Sequence, residues 1–172
     1  MVIEELTTVA DERTRPSSFE ELFLAERVRL YRALCVLTGD RSEAEDLAQD
    51  AFVRVLAAWD RVGTLDDPVG YLYRTALNGV RSRYRRSVLA VRRQLHPREG
   101  RDELDLAEER AEIVRTLGNL TYKQRAAVVL LDLLDMTSDE AAAALGMSAG
   151  AVRTQASRGR AEIRRRKGAD DG

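Results

Sequence analysis

Apolar residues recur at helical spacing through most of this chain, and no run of β-branched residues alternates at period two. The predicted fold class is therefore all-α. Phe19, Leu22 and Phe23, then Leu24, Val28 and Tyr31, follow the three-to-four-residue repeat of one helix face. Ser18 and Glu21 fit a capping box at its start, and Thr38-Gly39-Asp40 ends it. Ser42 and Glu45 fit a second box, predicting a helix to about Trp59 lined by Leu47, Ala51, Val55 and Ala58. Arg61 to Asp66, with Gly63, reads as a loop. Asp67 followed by Pro68 marks a third start, because proline suits the first helical turn. That helix is predicted through Tyr71, Leu72, Thr75, Ala76 and Val80 into Arg81, Arg83, Tyr84, Arg85 and Arg86.

The last third carries the most specific pattern. Thr137 and Glu140 fit a capping box opening a short helix, Asp139 to Leu145. Gly146 breaks it, and Ser148 can cap a second helix from Ala149 toward Arg166. Small Ala142 and apolar Val152 let the two pack closely across a tight turn, as in a helix-turn-helix. The second helix places Arg153, Thr154, Gln155, Ser157, Arg158 and Arg160 on its outer faces, side chains suited to base edges and phosphates. A solvated arginine-rich face is the alternative. Such a face usually mixes both signs, whereas no acid occurs from Ala149 to Ala161.

The chain divides into a loose tail (1–16), a helical block (17–86), a linker (87–104), a second helical block (105–167) and a short tail (168–172). Two small helical domains joined by a flexible linker are expected. The linker carries His96, Pro97 and Gly100 among clustered charges.

Charge sharpens this picture. The formal net charge is −1, yet residues 1–50 hold 6 Arg against 12 acids and residues 51–100 hold 10 Arg against 4. A near-neutral total does not exclude nucleic acid, since local fields steer binding. Arg74, Asn78, Arg81 and Arg85 can share one side of the third helix, with Tyr84 adjacent, which suits a strand with splayed bases. Cations at a helix C-terminus are also favourable on dipole grounds alone. One cysteine, Cys35, permits neither an internal disulfide nor a thiolate metal cluster. No nucleophile, metal constellation or glycine-rich phosphate loop stands out, so no catalysis, metal or cofactor is expected. No apolar run approaches a membrane span and the N-terminus is unlike a secretory signal, so the cytoplasm is the expected compartment.

Four elements, AEDLAQDAF, GYLYRTALN, LGNLTYKQRAAVVL and GAVRTQASRGRA, occur in an order and spacing that resemble bacterial RNA polymerase sigma factors. The resemblance is to the extracytoplasmic-function group of the sigma-70 superfamily, and LTGD and LDDP resemble its actinobacterial branch. It covers about residues 18–166.

The resemblance implies a promoter-opening domain followed by a C-terminal helix-turn-helix domain. It implies that Asp46, Leu47, Gln49, Asp50 and Arg54, beside Phe52, dock on a clamp coiled coil of the largest polymerase subunit. Phe52 also reads as simple core. The implied minus-ten contacts are Arg61, Gly63 and Thr64 in a base-capturing loop, with Arg74, Asn78, Arg81 and Arg85. The implied minus-thirty-five readers are Arg153, Thr154, Gln155, Ser157, Arg158 and Arg160. Implied partners are core RNA polymerase (clamp coiled coil and the flap of the second-largest subunit), promoter DNA and an anti-sigma factor. Gln155, Ala156 and Ala141 depart from the family pattern, and the alanines suggest a lightly packed C-terminal domain. The alternative reading is a helix-turn-helix regulator that binds duplex DNA without joining polymerase.

Overall fold

The computed structural model describes residues 15–91 and 115–170, and these are helical with no strand among them. The first block holds α1 (Phe19–Thr38), α2 (Arg41–Ala57), the single turn α3 (Trp59–Val62) and α4 (Pro68–Val91). The second holds a short helical stretch, α5 (115–118), then α6 (Tyr122–Val128), a π-helical turn (Val129–Leu133), α7 (Ser138–Leu145) and α8 (Ala149–Asp170). Residues 1–14 of the expected tail, 92–104 of the expected linker and 105–114 of the second block lie outside the described residues.

The caps show which signals decided the boundaries. Ser18 accepts from the Glu21 N–H as predicted, but the Glu21 carboxylate turns to Ser17, at 2.7 Å from its N–H and 2.9 Å from its hydroxyl. Gly39 ends α1 in the left-handed region at φ 73°. The predicted cap at Ser42 is wrong. Asp40, extended right after that glycine, accepts from the Glu43 N–H at 2.8 Å and starts α2 earlier. The α2 helix stops at Ala57 rather than Trp59, and Arg61 lies in α3 rather than in an open loop. Asp67 closes on the Gly70 N–H at 2.7 Å and opens α4. The α4 helix runs to Val91, so the first residues assigned to the linker, 87–91, are helical. In the second block the Thr137 and Glu140 box is complete, with both reciprocal bonds formed. Ser148 accepts from the Ala151 N–H at 3.2 Å, and α8 continues to Asp170, past the predicted end and into the expected tail.

Packing of α1 corrects the predicted face. Leu22, Glu26, Leu30, Ala33, Leu34 and Leu37 are buried, while Leu24 is 66% exposed and Val28 faces solvent too. The stripe turns because a polar residue sits within it. Glu26 is 5% exposed and accepts from the Tyr73 hydroxyl at 2.8 Å, and Arg29 lies 3.5 Å from its other oxygen. Burying a carboxylate is tolerable only with such partners. Leu47, Ala51, Phe52 and Val55 of α2 and Leu72, Ala76 and Val80 of α4 complete this half of the core. Phe19, Phe23, Phe52 and Trp59 meet edge to face or stacked at one end.

The second block is built from small residues at close approach. Ala141, Ala142, Ala144, Val152 and Ala156 are buried. Gly159 brings α8 against α6 so closely that a Cβ there would lie 2.9 Å from Val128 Cγ2 and 3.4 Å from the Gln124 carbonyl oxygen. The expectation of light packing is thus answered by helices moving together.

The two blocks also pack on each other, α4 against α7 and α1 against the π-helical turn. Among the described residues, side chains donate across this boundary to main-chain carbonyls. Arg29 Nη2 donates to Leu134 at 2.6 Å and Arg74 Nε to Ala143 at 2.9 Å. Arg125 Nη1 donates to Leu37 at 2.9 Å and the Tyr122 hydroxyl to Leu77 at 3.1 Å. The Tyr122 ring stacks on Tyr84, centroids 6.2 Å apart.

Two expectations follow. Gly159→Leu is expected to lower stability by about 1–3 kcal/mol through overpacking against α6. Gly150→Ala, whose new Cβ meets nothing closer than Arg153 Nη2 at 3.9 Å, is expected to raise it by up to about 1 kcal/mol. Urea unfolding of both variants checks this, and shifts of the same sign contradict it. The second concerns Tyr122. Burial pushes its hydroxyl from 10.0 up to about 12, with Arg81 pulling weakly the other way. A raised pKa means the neutral form is favoured by folding. Its contribution is whole below pH 10 and is lost as pH rises toward 12. Stability is expected to fall through that window less steeply in Tyr122→Phe than in the parent. Equal slopes in the two proteins contradict the assignment.

Candidate nucleic-acid interface

On α8 the burial of Val152, Ala156 and Gly159 fixes which side chains face outward. Arg153, Thr154, Ser157 and Arg158 are exposed on the opposite side, and Gln155 is half-buried beside them. The Thr154 hydroxyl donates to the Gly150 carbonyl at 2.9 Å, which pins its rotamer. Arg160 differs from the others. Its guanidinium grips Asp132 of the π-helical turn in a fork, Nε at 2.9 Å and Nη2 at 2.5 Å, and this bond raises its pKa. Arg160 therefore ties α8 to its own block while it stands on the predicted reading helix. Beyond it, Arg165 and then Arg166 hold the Glu162 carboxyl down to about 2.

On α4 the predicted cluster forms. Arg74, Asn78, Arg81 and Arg85 are exposed at steps of four, three and four residues, which is one helix face. Arg74 is already engaged with the Ala143 carbonyl of α7. The loop after α2 is braced. Arg61 lies 5.2 Å over the Tyr71 ring and donates to its hydroxyl at 2.8 Å. Thr64 donates to the Arg61 carbonyl at 2.7 Å. Gly63 sits at a close approach, since a Cβ would lie 3.0 Å from the Trp59 carbonyl and 3.1 Å from its indole. The Gly63 carbonyl accepts from Arg15 at 2.6 Å, so the end of the expected loose tail is tied to this loop.

The acidic face of α2 is the third surface. Asp46, Gln49 and Asp50 are exposed at helical spacing. Asp50 pairs with Arg54 at 2.9 Å, and Asp46 lies 3.8 Å from Arg83. Leu47 is only 3% exposed and belongs to the core, so it is not available as a surface contact. Val53 and Leu56, 58% and 53% exposed, carry the apolar part of this stripe instead. Sequence reasoning missed both, although their spacing from Asp46 and Gln49 on a helical projection was a usable signal. It also missed Arg29, Tyr122 and Arg125. Arg125 heads the apolar run AAVVLL, which was the one hint that it is half-buried. Among the described residues no cluster of three or more His, Cys, Asp or Glu could hold a metal. No described helix is long and apolar enough to cross a membrane.

Known proteins resemble both blocks of the chain. Residues 22–88 match the Sigma-70 region 2 family and residues 110–163 match Sigma-70, region 4. The chain is 34% identical over 148 residues to the RNA polymerase sigma-E factor of Streptomyces avermitilis, covering 85% of this chain and 83% of that one. It is 31% identical over 165 residues to the ECF RNA polymerase sigma factor SigE of Mycolicibacterium smegmatis, covering 90% of this chain and 63% of that one. The structure of CnrH in complex with the cytosolic domain of CnrY is similar with TM-score 0.66 and 28% identity, covering 88% of each chain. The chain belongs to the sigma-70 family of RNA polymerase sigma factors, in the extracytoplasmic-function group.

Proposed function

We propose that the chain confers promoter choice on core RNA polymerase through the three surfaces described, without performing chemistry itself, and that it works in the cytoplasm. One observation carries this reading furthest. The α2 stripe combines exposed acids with exposed Val53 and Leu56, a composition that folding does not require and that a partner helix with basic and apolar residues would cover. A regulator acting on duplex DNA alone has no use for such a stripe. In this reading Asp46, Gln49, Asp50, Val53 and Leu56 meet the clamp coiled coil. Arg54 stands beside them, paired with Asp50.

The C-terminal block anchors duplex DNA through Arg153, Thr154, Gln155, Ser157 and Arg158, by base edges and phosphates together. The first block takes the minus-ten element on Arg61, Gly63, Thr64, Arg74, Asn78, Arg81 and Arg85. Extruding a base costs a few kcal/mol, and the pocket contacts offset it. CnrH is seen with the cytosolic domain of CnrY; a protein antagonist of that sort, and contact with the polymerase flap, belong to the proposal.

The docking stripe supplies the test. Asp46→Arg with Asp50→Arg is expected to weaken capture by purified core polymerase roughly a hundredfold, because like charges then face each other across the contact. Circular dichroism should show unchanged helicity. Undiminished capture of this folded double variant removes the docking assignment.

A further inference from the structure

The α8 helix is longer than its block requires. Among the described residues Ile163 is the last α8 side chain packed against the core, yet the helix runs on to Asp170. The reading face runs on with it. Steps of four, three and four residues stay on one side of a helix, and they lead from Arg153 through Ser157 and Arg160 to Arg164. The same steps lead from Thr154 through Arg158 and Ala161 to Arg165. Both Arg164 and Arg165 are exposed. Glu162 is shared between two of the neighbouring arginines, 2.6 Å from Arg165 Nη2 and 2.8 Å from Arg166 Nε. Arg160 is held by Asp132. Arg164 has no ion-pair partner among the described residues. The helix dipole favours cations near a C-terminus. That accounts for the sign of these residues, but not for the line that Arg164 shares with Arg153 and Ser157.

We propose that Arg164 makes the end of α8 a phosphate-binding arm, gripping the DNA backbone beyond the base pairs that the first turns read, and that Glu162 limits this arm to one cation. This inference rests on the DNA-reading role of α8 proposed above. Its ground is length. Arg153 and Arg164 are eleven residues apart, about 17 Å along the helix axis. The major groove is about 12 Å wide. A helix whose first turns enter the groove therefore carries Arg164 past the groove edge, on the face that meets DNA. What stands there is a phosphate, an acceptor that every sequence presents. The contact adds affinity and fixes register without base preference. The forked donors of a guanidinium match phosphate oxygens. Arg165 lies on the second line of the same face, but its fork is closed on Glu162, with Nε at 3.0 Å and Nη2 at 2.6 Å.

The experiment uses the full chain and a short fluorescein-labelled duplex of mixed sequence, because a phosphate contact needs no promoter. Anisotropy gives the affinity across a series of potassium chloride concentrations. Arg164→Gln is expected to make the slope of log K against log salt shallower by about 0.9, the share of one neutralised phosphate, and Arg164→Lys to keep the parent's slope. Glu162→Gln frees Arg165 and is expected to steepen the slope by about 0.9. Arg32→Gln makes the same charge change on the exposed side of α1 and is expected to leave the slope unaltered. A parent slope retained by Arg164→Gln, while Arg153→Ala still weakens binding, overturns the arm and leaves the reading of α8 standing. An equal flattening by Arg32→Gln also overturns the arm, since the effect is then one of net charge. A Glu162→Gln slope no steeper than the parent's overturns the restraint of Arg165. A parent that does not bind the duplex at all defeats the DNA reading of α8, and the arm with it.

Discussion

The arrangement of this molecule depends on where one half-buried guanidinium, that of Arg125, finds its acceptors. Arg125 stands at the head of the most apolar run of the second block, and burial lowers its pKa. Within the block its Nη2 reaches the Gly118 and Leu120 carbonyls at 3.3 and 3.4 Å, and across the boundary its Nη1 reaches Leu37 at 2.9 Å. Its Nε has no partner among the described residues. Three charge-assisted bonds at about 1.5–3 kcal/mol each outweigh one unpaired donor at about 1–3 kcal/mol. The shortest of them is the one that crosses to the end of α1. Taking that carbonyl away leaves a half-buried charge with only its two longer bonds, so the contact at Leu37 favours the meeting of the two blocks.

The rest of the structure follows the same economy. Small residues let α6, α7 and α8 approach until Gly159 touches Val128, which leaves the other side of α8 free for Arg153, Thr154, Ser157 and Arg158. Glu26, buried with Tyr73 and Arg29, places Arg29 at the boundary and turns the apolar stripe of α1. Exposed apolar residues remain on α2 beside exposed acids, where a partner would cover them. The boundary between the blocks is made of a few polar bonds around one half-buried charge.

Much of this was legible in the chain. The helix-turn-helix and its capping box, the glycine ending α1 and the proline opening α4 were read from residue types whose local chemistry leaves few options. The exposed faces of α4 and α8 followed from spacing. What failed was non-local. Leu24 and Val28 look like core on α1, and only the Glu26–Tyr73 pair shows why they are not. Leu47 points inward with Ala51 and Val55 as its spacing predicts, whereas Val53 and Leu56 point out. The pairing of Arg160 with Asp132 could not be read from the spacing of α8 either. Asp40 displaced Ser42 as a cap because the chain turns immediately at Gly39. Each miss required knowing what stood opposite, and spacing along one helix does not carry that.

The central claim is that this chain gives polymerase its choice of promoter. The most direct measurement is transcription of fragmented genomic DNA from the source organism by purified core polymerase, with RNA 5′ ends mapped with and without the chain. The account predicts a discrete set of start sites that appear only with the chain. Their upstream DNA should share two conserved elements separated by a fixed spacer. Start sites that do not change on adding the chain, while it still binds duplex DNA, would contradict the account and favour a regulator acting apart from polymerase.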